Sequence, residues 1–299
     1  MPWYEAFDHE IQRQLPQLAV RREEPMARHT TFRIGGPARR MAFPKSEEEL
    51  TALLALSKEW DPLMIGNGSN LLAPDGELDR LVISTAQMEE LKVEGTALRA
   101  AAGVPLARLA AAALRAELEG LAFAHGIPGT LGGAVFMNAG AYGGEMRQVV
   151  REVRAWYPEK GVITLDADAL DFGYRRSVFS GGEGVVVSAL LQLRQGDGAV
   201  IRAEMEDLAA RRRSRQPLEF PSAGSTFKRP EGYYAGTLIE QCGLKGCRIG
   251  GAQVSEKHAG FLINAGGASC SDVLRLIEHV QKTVFDATGV RLEPEVRVL

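Results

Sequence analysis

The chain is poor in the residues that signal metal or disulfide chemistry, with 3 cysteines and 5 histidines in 299 positions. Cys242, Cys247 and Cys270 make neither a CxxC pair nor an even framework, and no HExxH occurs. No metal site is therefore expected, and the thiols read as free groups in a reducing compartment. Charge of one sign is lacking as well: a formal net charge of -3 leaves no basic surplus for nucleic acid. No GK[ST] is present, which excludes a Walker-type phosphate loop. Long apolar runs are missing, with one near exception in Leu121–Gly144, 24 residues without a formal charge. Its glycines and Pro128 would leave backbone groups unsatisfied in lipid, so no membrane span is expected. Met1–Glu10 carries Glu5, Asp8 and Glu10 and no apolar core, unlike a secretory signal, and a cytoplasmic protein is expected.

What is present is ordinary globular composition, 45% hydrophobic and 24% charged, with arginine well ahead of lysine and 33 glycines unevenly placed. Ser46 and Glu49 form a capping box ahead of a Leu50, Leu53, Leu54 stripe, which predicts a helix over 46–60. Further helices are expected over 105–118, 200–212 and 272–287, the last stopped by Gly289. Strand-like runs fall at 63–65, 81–84, 149–157, 162–165 and 185–193, and the tail 291–299 also reads as a strand. Gly126–Gly144 reads as loop. Strands and helices do not alternate regularly, so the fold class is α+β, with the best compositional break near Gly196-Asp197-Gly198.

Two glycine loops stand out. Gly66-Asn67-Gly68-Ser69-Asn70-Leu71 fails the dinucleotide fingerprint, because the third glycine is missing and Pro74 and Gly76 arrive before a helix can open. It remains either a tight turn or an anion-binding nest. The second loop packs seven glycines into residues 126–144, far above average usage, while Ile127, Leu131, Val135, Phe136 and Met137 make it too apolar for a free linker. A cradle for a ligand explains that combination better than loop packing does.

Three more segments are candidates for chemistry. Tyr174-Arg175-Arg176-Ser177-Val178-Phe179 sets two arginines among aromatic and apolar residues, either for surface ion pairs or for a carboxylate. Ala223-Gly224-Ser225-Thr226-Phe227-Lys228 presents a hydroxyl on a small-residue turn, with no nucleophile elbow around it. Leu292-Glu293-Pro294-Glu295-Val296-Arg297 alternates charge on a terminal strand, which suits a solvated edge or a carboxylate at a reacting centre. The arginines 211, 212, 213 and 215 end a helix, where they complement its dipole.

Taken together, the two glycine loops, the Thr30-Thr31-Phe32-Arg33-Ile34-Gly35-Gly36 segment and these motifs resemble the UDP-N-acetylenolpyruvoylglucosamine reductases of peptidoglycan synthesis. The resemblance covers about Thr30 to Arg297. It implies a vanillyl-alcohol-oxidase-type FAD-binding domain in two subdomains, 1–84 and 85–198. A smaller α/β substrate-binding domain, 199–299, would follow, its last strand near 292–299 packing back at the active site. FAD and NADPH are the implied cofactors, and a UDP-sugar the implied substrate of a monomer. FAD contacts would fall on Arg33, Ile65, Gly66, Asn67, Gly68, Ser69, Asn70, Leu71 and Gly103. Others would fall on His125, Gly126, Ile127, Pro128, Gly129, Thr130, Gly132, Gly133, Ala134, Asn138, Gly140 and Ala141. The same resemblance makes Arg175, Ser225 and Glu295 catalytic. It gives Tyr174, Arg212, Arg215, Lys228, Gln253, His258, Asn264 and Arg297 to the substrate. The chain departs from the family at Arg229, where asparagine is frequent, and Phe179–Val200 is too short for the inserted tyrosine loop of longer members. A related alcohol or lactone oxidase, or an electron-transfer flavoprotein, would leave the Ser225 segment and the Glu295 tail unexplained.

Overall fold

The structure, a computed structural model, describes all 299 residues. Two compact units emerge, each built from several stretches of chain. The first comprises Met1–Arg22, Arg39–Asn67 and Arg80–Ala210, and the second Glu23–Ala38, Gly68–Asp79 and Arg211–Leu299. The boundaries expected at 84/85 and 198/199 both fall inside the first unit. Packing explains why. Phe7, Leu50, Leu53, Leu81 and Ile83 share one core with Met88, Trp156 and Val187, on both sides of residue 84. Ile201 and Met205 likewise join the core that holds Leu98, Leu109 and Val153, which draws the start of the next helix into the first unit.

The first unit holds a five-stranded antiparallel sheet in the order Gly161–Asp166, Val150–Tyr157, Val185–Gln192, Ala97–Ala101, Leu91–Glu94. Register shifts in the Val150–Tyr157 strand lie between Val150 and Glu152 and between Arg154 and Ala155. They place Val150 and Val153 both in the core although three residues apart, where a regular strand would alternate. A four-stranded sheet runs Ala19–Pro25, Pro37–Phe43, Leu78–Ser84, Leu63–Ile65, the last pair parallel with Leu63 opposite Val82.

In the second unit a three-stranded antiparallel sheet, Arg248–Ile249, Ala252–Val254 and Leu262–Asn264, packs against the helix Cys270–Thr288. That helix buries Val273, Leu276, Ile277, Val280 and Val284 on one stripe. A Ser269–Asp272 capping box starts it and Gly289, at φ 71°, stops it. Phe32, Ile34 and Leu72 enter the same core, which ties residues 23–38 and 68–79 to this unit.

Several sequence expectations need correction. The 46–60 helix is Glu47–Ser57 continued by a 3-10 turn, with Ser46 accepting the Glu49 N–H as expected. A helix over Trp3–Gln14 escaped notice because only Phe7 and Ile11 are buried and no side chain caps it. The 200–212 helix is Gly198–Arg215, and with Ile201 and Met205 as its buried residues it is scarcely amphipathic. Gly126–Gly144 is not all loop: Leu131–Phe136 is helical despite two internal glycines, because Val104 O and Ala102 O accept the N–H groups of Leu131 and Gly132. The tail is a strand only at Arg297–Val298, since Pro294 interrupts any longer ladder. No helix is long and apolar enough to cross a membrane.

Candidate active site

In the first unit the two glycine loops meet. Asn67 Nδ2 donates to Pro128 O at 2.6 Å. A Cβ on Gly66 would stand 2.2 Å from Thr130 Oγ1, so only glycine permits the approach. Thr130 is buried, and its Oγ1 and the Nδ1 of His125 are buried polar atoms with no protein partner. Leaving such a group unpaired costs about 1–3 kcal/mol, so two in one glycine cradle suit a polar ligand. A group that offers hydrogen-bond donors and acceptors, as FAD does, would pair with them. Gly103 has a different cause, because a Cβ there would fall 1.8 Å from Thr85 O within the unit's own packing.

Behind the cradle the chain turns at Asn138, which is buried and left-handed at φ 42°. Its Nδ2 donates to Glu145 Oε2 and to Gly173 O, both at 3.0 Å, while its Oδ1 accepts the Arg147 N–H at 2.9 Å. Expected as a cofactor contact, this side chain is engaged with protein. Gly173 and Arg176 pair with each other across a tight turn, at 2.9 and 3.2 Å, and Tyr174 and Arg175 ride at its tip. Arg175 has φ 53°, a conformation that costs a non-glycine residue roughly 1–3 kcal/mol. Its guanidinium reaches Gly140 O at 3.5 Å and lies 5.1 Å over the Tyr174 ring. Ser177 Oγ fastens the far side of the turn by donating to Phe136 O at 2.8 Å.

In the second unit Ser225 and Glu295 sit on adjoining extended segments. Ser225 bridges Phe261, Phe227 bridges Pro294, and Thr226 between them accepts the Glu295 N–H at 2.7 Å on its carbonyl. Ser225 is exposed and Glu295 half-buried. Asn70, from the first glycine loop, donates its amide to Glu295 O at 3.1 Å, and its carbonyl accepts the Arg297 N–H at 3.0 Å. Arg297–Val298 then pairs in parallel with Leu71–Leu72. Gly68 enables this path: at φ 57°, a Cβ would stand 2.1 Å from His29 O.

A model of an FAD binding domain matches residues 38–166, and one of the UDP-N-acetylenolpyruvoylglucosamine reductase C-terminal domain matches 216–299. A reductase of that name from Caldanaerobacter subterraneus subsp. tengcongensis is 49% identical over 278 residues, 92% of each chain. Another from Pediococcus pentosaceus is 46% identical over 98% of each. The chain belongs to the UDP-N-acetylenolpyruvoylglucosamine reductase family. A crystal structure of the enzyme from Thermus caldophilus agrees at TM-score 0.81 and 33% identity, covering 94% of this chain and 98% of that one. The reductase is thus an FAD-dependent oxidoreductase. It reduces UDP-N-acetylglucosamine enolpyruvate with NADPH in peptidoglycan precursor synthesis.

The remaining expected substrate contacts of the reductase, and Arg33 from the expected FAD contacts, divide. Lys228 is paired with Glu293, and Arg212 and Arg215 end the Gly198–Arg215 helix. Exposed Arg33 is left-handed at φ 55° beside Thr31, whose hydroxyl donates to Ser222 O. Asn264 is a brace: its amide donates to Phe32 O and its Oδ1 accepts from Gly266 and Ala268. His258 Nδ1 accepts the Gly260 N–H, and burial lowers its pKa, so the ring stays neutral with its proton on Nε2. Gln253 Nε2 donates to Gly246 O. Arg229, the departure from the family, stacks 4.0 Å over the exposed Tyr234 ring. All three cysteines are free, and burial pushes the Cys270 thiol up to about 11, leaving it unreactive at neutral pH. Sequence reasoning gave no role to Glu145, or to Thr226 within the Ser225 segment, because both matter only through the bonds just described.

Proposed function

We propose that the reductase uses Arg175, Ser225 and Glu295 as its catalytic side chains. In this reading residues 1–84 and 85–198 hold FAD, and 199–299 grip the UDP-sugar. The observation that carries it is the Thr226 junction. One carbonyl fixes the Glu295 backbone one residue from Ser225, so a hydroxyl and a carboxylate are presented from a rigid ladder. Within the first unit, His125, Thr130, Gly66 and Asn67 are the groups best suited to hold FAD.

FAD held by those residues would supply the redox chemistry that joins NADPH oxidation to hydride addition at C3 of the enolpyruvyl group. The Arg175 guanidinium binds the substrate carboxylate and balances the negative charge that grows on C2 and that carboxylate. Glu295, protonated or hydrogen-bonded, stabilises the same enolate-like species. Ser225 Oγ delivers the proton to C2, which completes addition of a hydride and a proton across the double bond. A hydroxyl is a weak acid, so it acts as a relay and is reprotonated through its hydrogen-bonded surroundings. Arg212, Arg215 and Lys228 suit the diphosphate, and Arg297 and Tyr174 the remainder of the substrate. The reductase works as a cytoplasmic monomer with no nucleic-acid partner, the last point supported by its net charge of -3.

The test is NADPH oxidation by the flavin-loaded protein with and without UDP-N-acetylglucosamine enolpyruvate, with mass analysis of the product. Enolpyruvate-dependent oxidation that yields UDP-N-acetylmuramate, lost in Ser225→Ala and Arg175→Ala, is expected. Normal turnover in those variants would overturn the assignment of roles.

A further inference from the structure

Four non-glycine residues with left-handed backbone lie between positions 138 and 175: Asn138, Tyr142, Asp171 and Arg175, at φ 42°, 54°, 43° and 53°. Such conformations persist only where the surroundings over-determine them. Here the surroundings are identifiable. The Asn138 amide bonds Gly173 O, at the entrance to the Arg175 turn. The Ser177 hydroxyl bonds Phe136 O at its exit, and Ser177 is itself locked in a reciprocal cap with Ser180. Phe136 is the last residue of the short helix within the second glycine loop, and Asn138 stands two residues beyond it.

We infer that Asn138 and Ser177 are positioning residues for Arg175, a clamp that holds the turn so that the guanidinium faces the reacting carboxylate without reorganisation. This rests on the reading of Arg175 as a catalytic group. Preorganisation is where such a clamp matters, because a charge that must first be oriented stabilises a transition state poorly. The chemistry of position 138 is specific. Nδ2 must donate twice, to Glu145 and to Gly173, while Oδ1 accepts from Arg147. An aspartate donates nothing and would face both the Glu145 carboxylate and the Gly173 carbonyl. Glu145 is fastened in turn, by its ion pair to Arg147 and by the Gln148 cap.

The two half-reactions separate this role from general scaffolding. Reduction of the flavin by NADPH does not use Arg175, whereas its reoxidation by UDP-N-acetylglucosamine enolpyruvate does. In stopped flow, Asn138→Ala and Asn138→Asp should slow reoxidation roughly tenfold to a hundredfold. Flavin reduction and flavin content should change by less than about twofold. Ser177→Ala should show the same pattern more weakly, and Ser177→Thr, which keeps the hydroxyl, should restore the rate. In an Arg175→Ala background, Asn138→Ala should cost less than about twofold more. The clamp is refuted if the Asn138 effect persists in full without Arg175, or if both half-reactions fall together. Should Asn138→Ala fail to fold or to retain flavin, the Ser177→Ala and Arg175→Ala cycle decides by the same criterion. Undiminished reoxidation in Arg175→Ala alone would instead remove the catalytic reading of Arg175, and the clamp with it.

Discussion

The turn that carries Arg175 and the segments that carry Ser225 and Glu295 are built on opposite plans. Arg175 stands on left-handed backbone fixed by side chains, the Asn138 amide at one end and the Ser177 hydroxyl at the other. Ser225 and Glu295 stand on backbone outside the left-handed region, fixed chiefly by main-chain bonds among Thr226, Gly260, Phe261 and Pro294. Any sequence can make main-chain bonds, so the second arrangement tolerates substitution of its functional side chains. The first depends on particular neighbours and transmits their loss. A strained cation and an unstrained proton donor therefore make different mutational signatures.

The largest expected effect tests the unstrained half. Ser225→Ala or Glu295→Ala should cut the rate of flavin reoxidation by about 10²–10⁴. In Ser225→Ala, thermal stability should stay within about 0.5 kcal/mol of the parent, because the main-chain ladder around the exposed Ser225 does not need its hydroxyl. A large loss of stability in that variant, seen by calorimetry, would break the contrast.

How much of this the sequence discloses follows the same division. Local signals were readable: the Ser46 cap, the Gly289 stop and the 185–192 strand lie where composition and periodicity place them. The second glycine loop reads as a cradle because its glycine density has no cheap structural cause, whereas the first reads equally as a tight turn or a nest. Contacts between distant segments were not. Nothing in the sequence pairs Asn138 with Gly173, or Asn70 with Glu295, since each bond depends on the chain folding back over many residues. The same reason explains why 23–38 and 68–79 joined the later residues: Phe32, Ile34 and Leu72 complete the core under the Cys270–Thr288 helix, and hydrophobicity alone does not say whose core a residue will enter. Resemblance supplied residue roles, Asn138 and Asn264 among the ligand contacts, and what it did not disclose is that both side chains also bond to protein.

Two buried threonines sharpen the comparison at the next size of effect. Thr226 Oγ1 accepts the Leu262 N–H at 3.0 Å, whereas Thr130 Oγ1 has no protein partner. Thr226→Val should therefore destabilise the protein by about 1–3 kcal/mol, the cost of an orphaned buried donor. Thr130→Val breaks no protein bond and should leave the flavin-free protein within about 0.5 kcal/mol of the parent, or stabilise it, while weakening FAD retention. Denaturant melts of the flavin-free forms and flavin titration measure the two. Equal stability losses would mean that Thr130 serves the fold and not a ligand.

The smallest effect concerns pH and the N-terminus of the Cys270–Thr288 helix. The Gly251 N–H, then the Ser269 N–H and the Arg275 guanidinium, hold the Asp272 carboxyl at about 2, below its ordinary 3.8. The folded state thus takes up this proton less readily than the unfolded chain. Its contribution is complete above about pH 4 and fades as pH falls through 3.8 toward 2. Cys270, next in sequence to Ser271, behaves in the opposite sense: burial, then the nearby Asp75 carboxylate, raises its thiol from 9.0 to about 11. The unfolded chain loses that proton first, so stability declines as pH rises from 9 toward 11. Melting temperature against pH should therefore bend downward at both limits around one helix start. Asp272→Asn should flatten the acid limb and leave the alkaline one, and Cys270→Ala should do the reverse. If Asp272→Asn left the acid limb as steep as in the parent, the cap bonds of Asp272 would not be the source of the acid sensitivity.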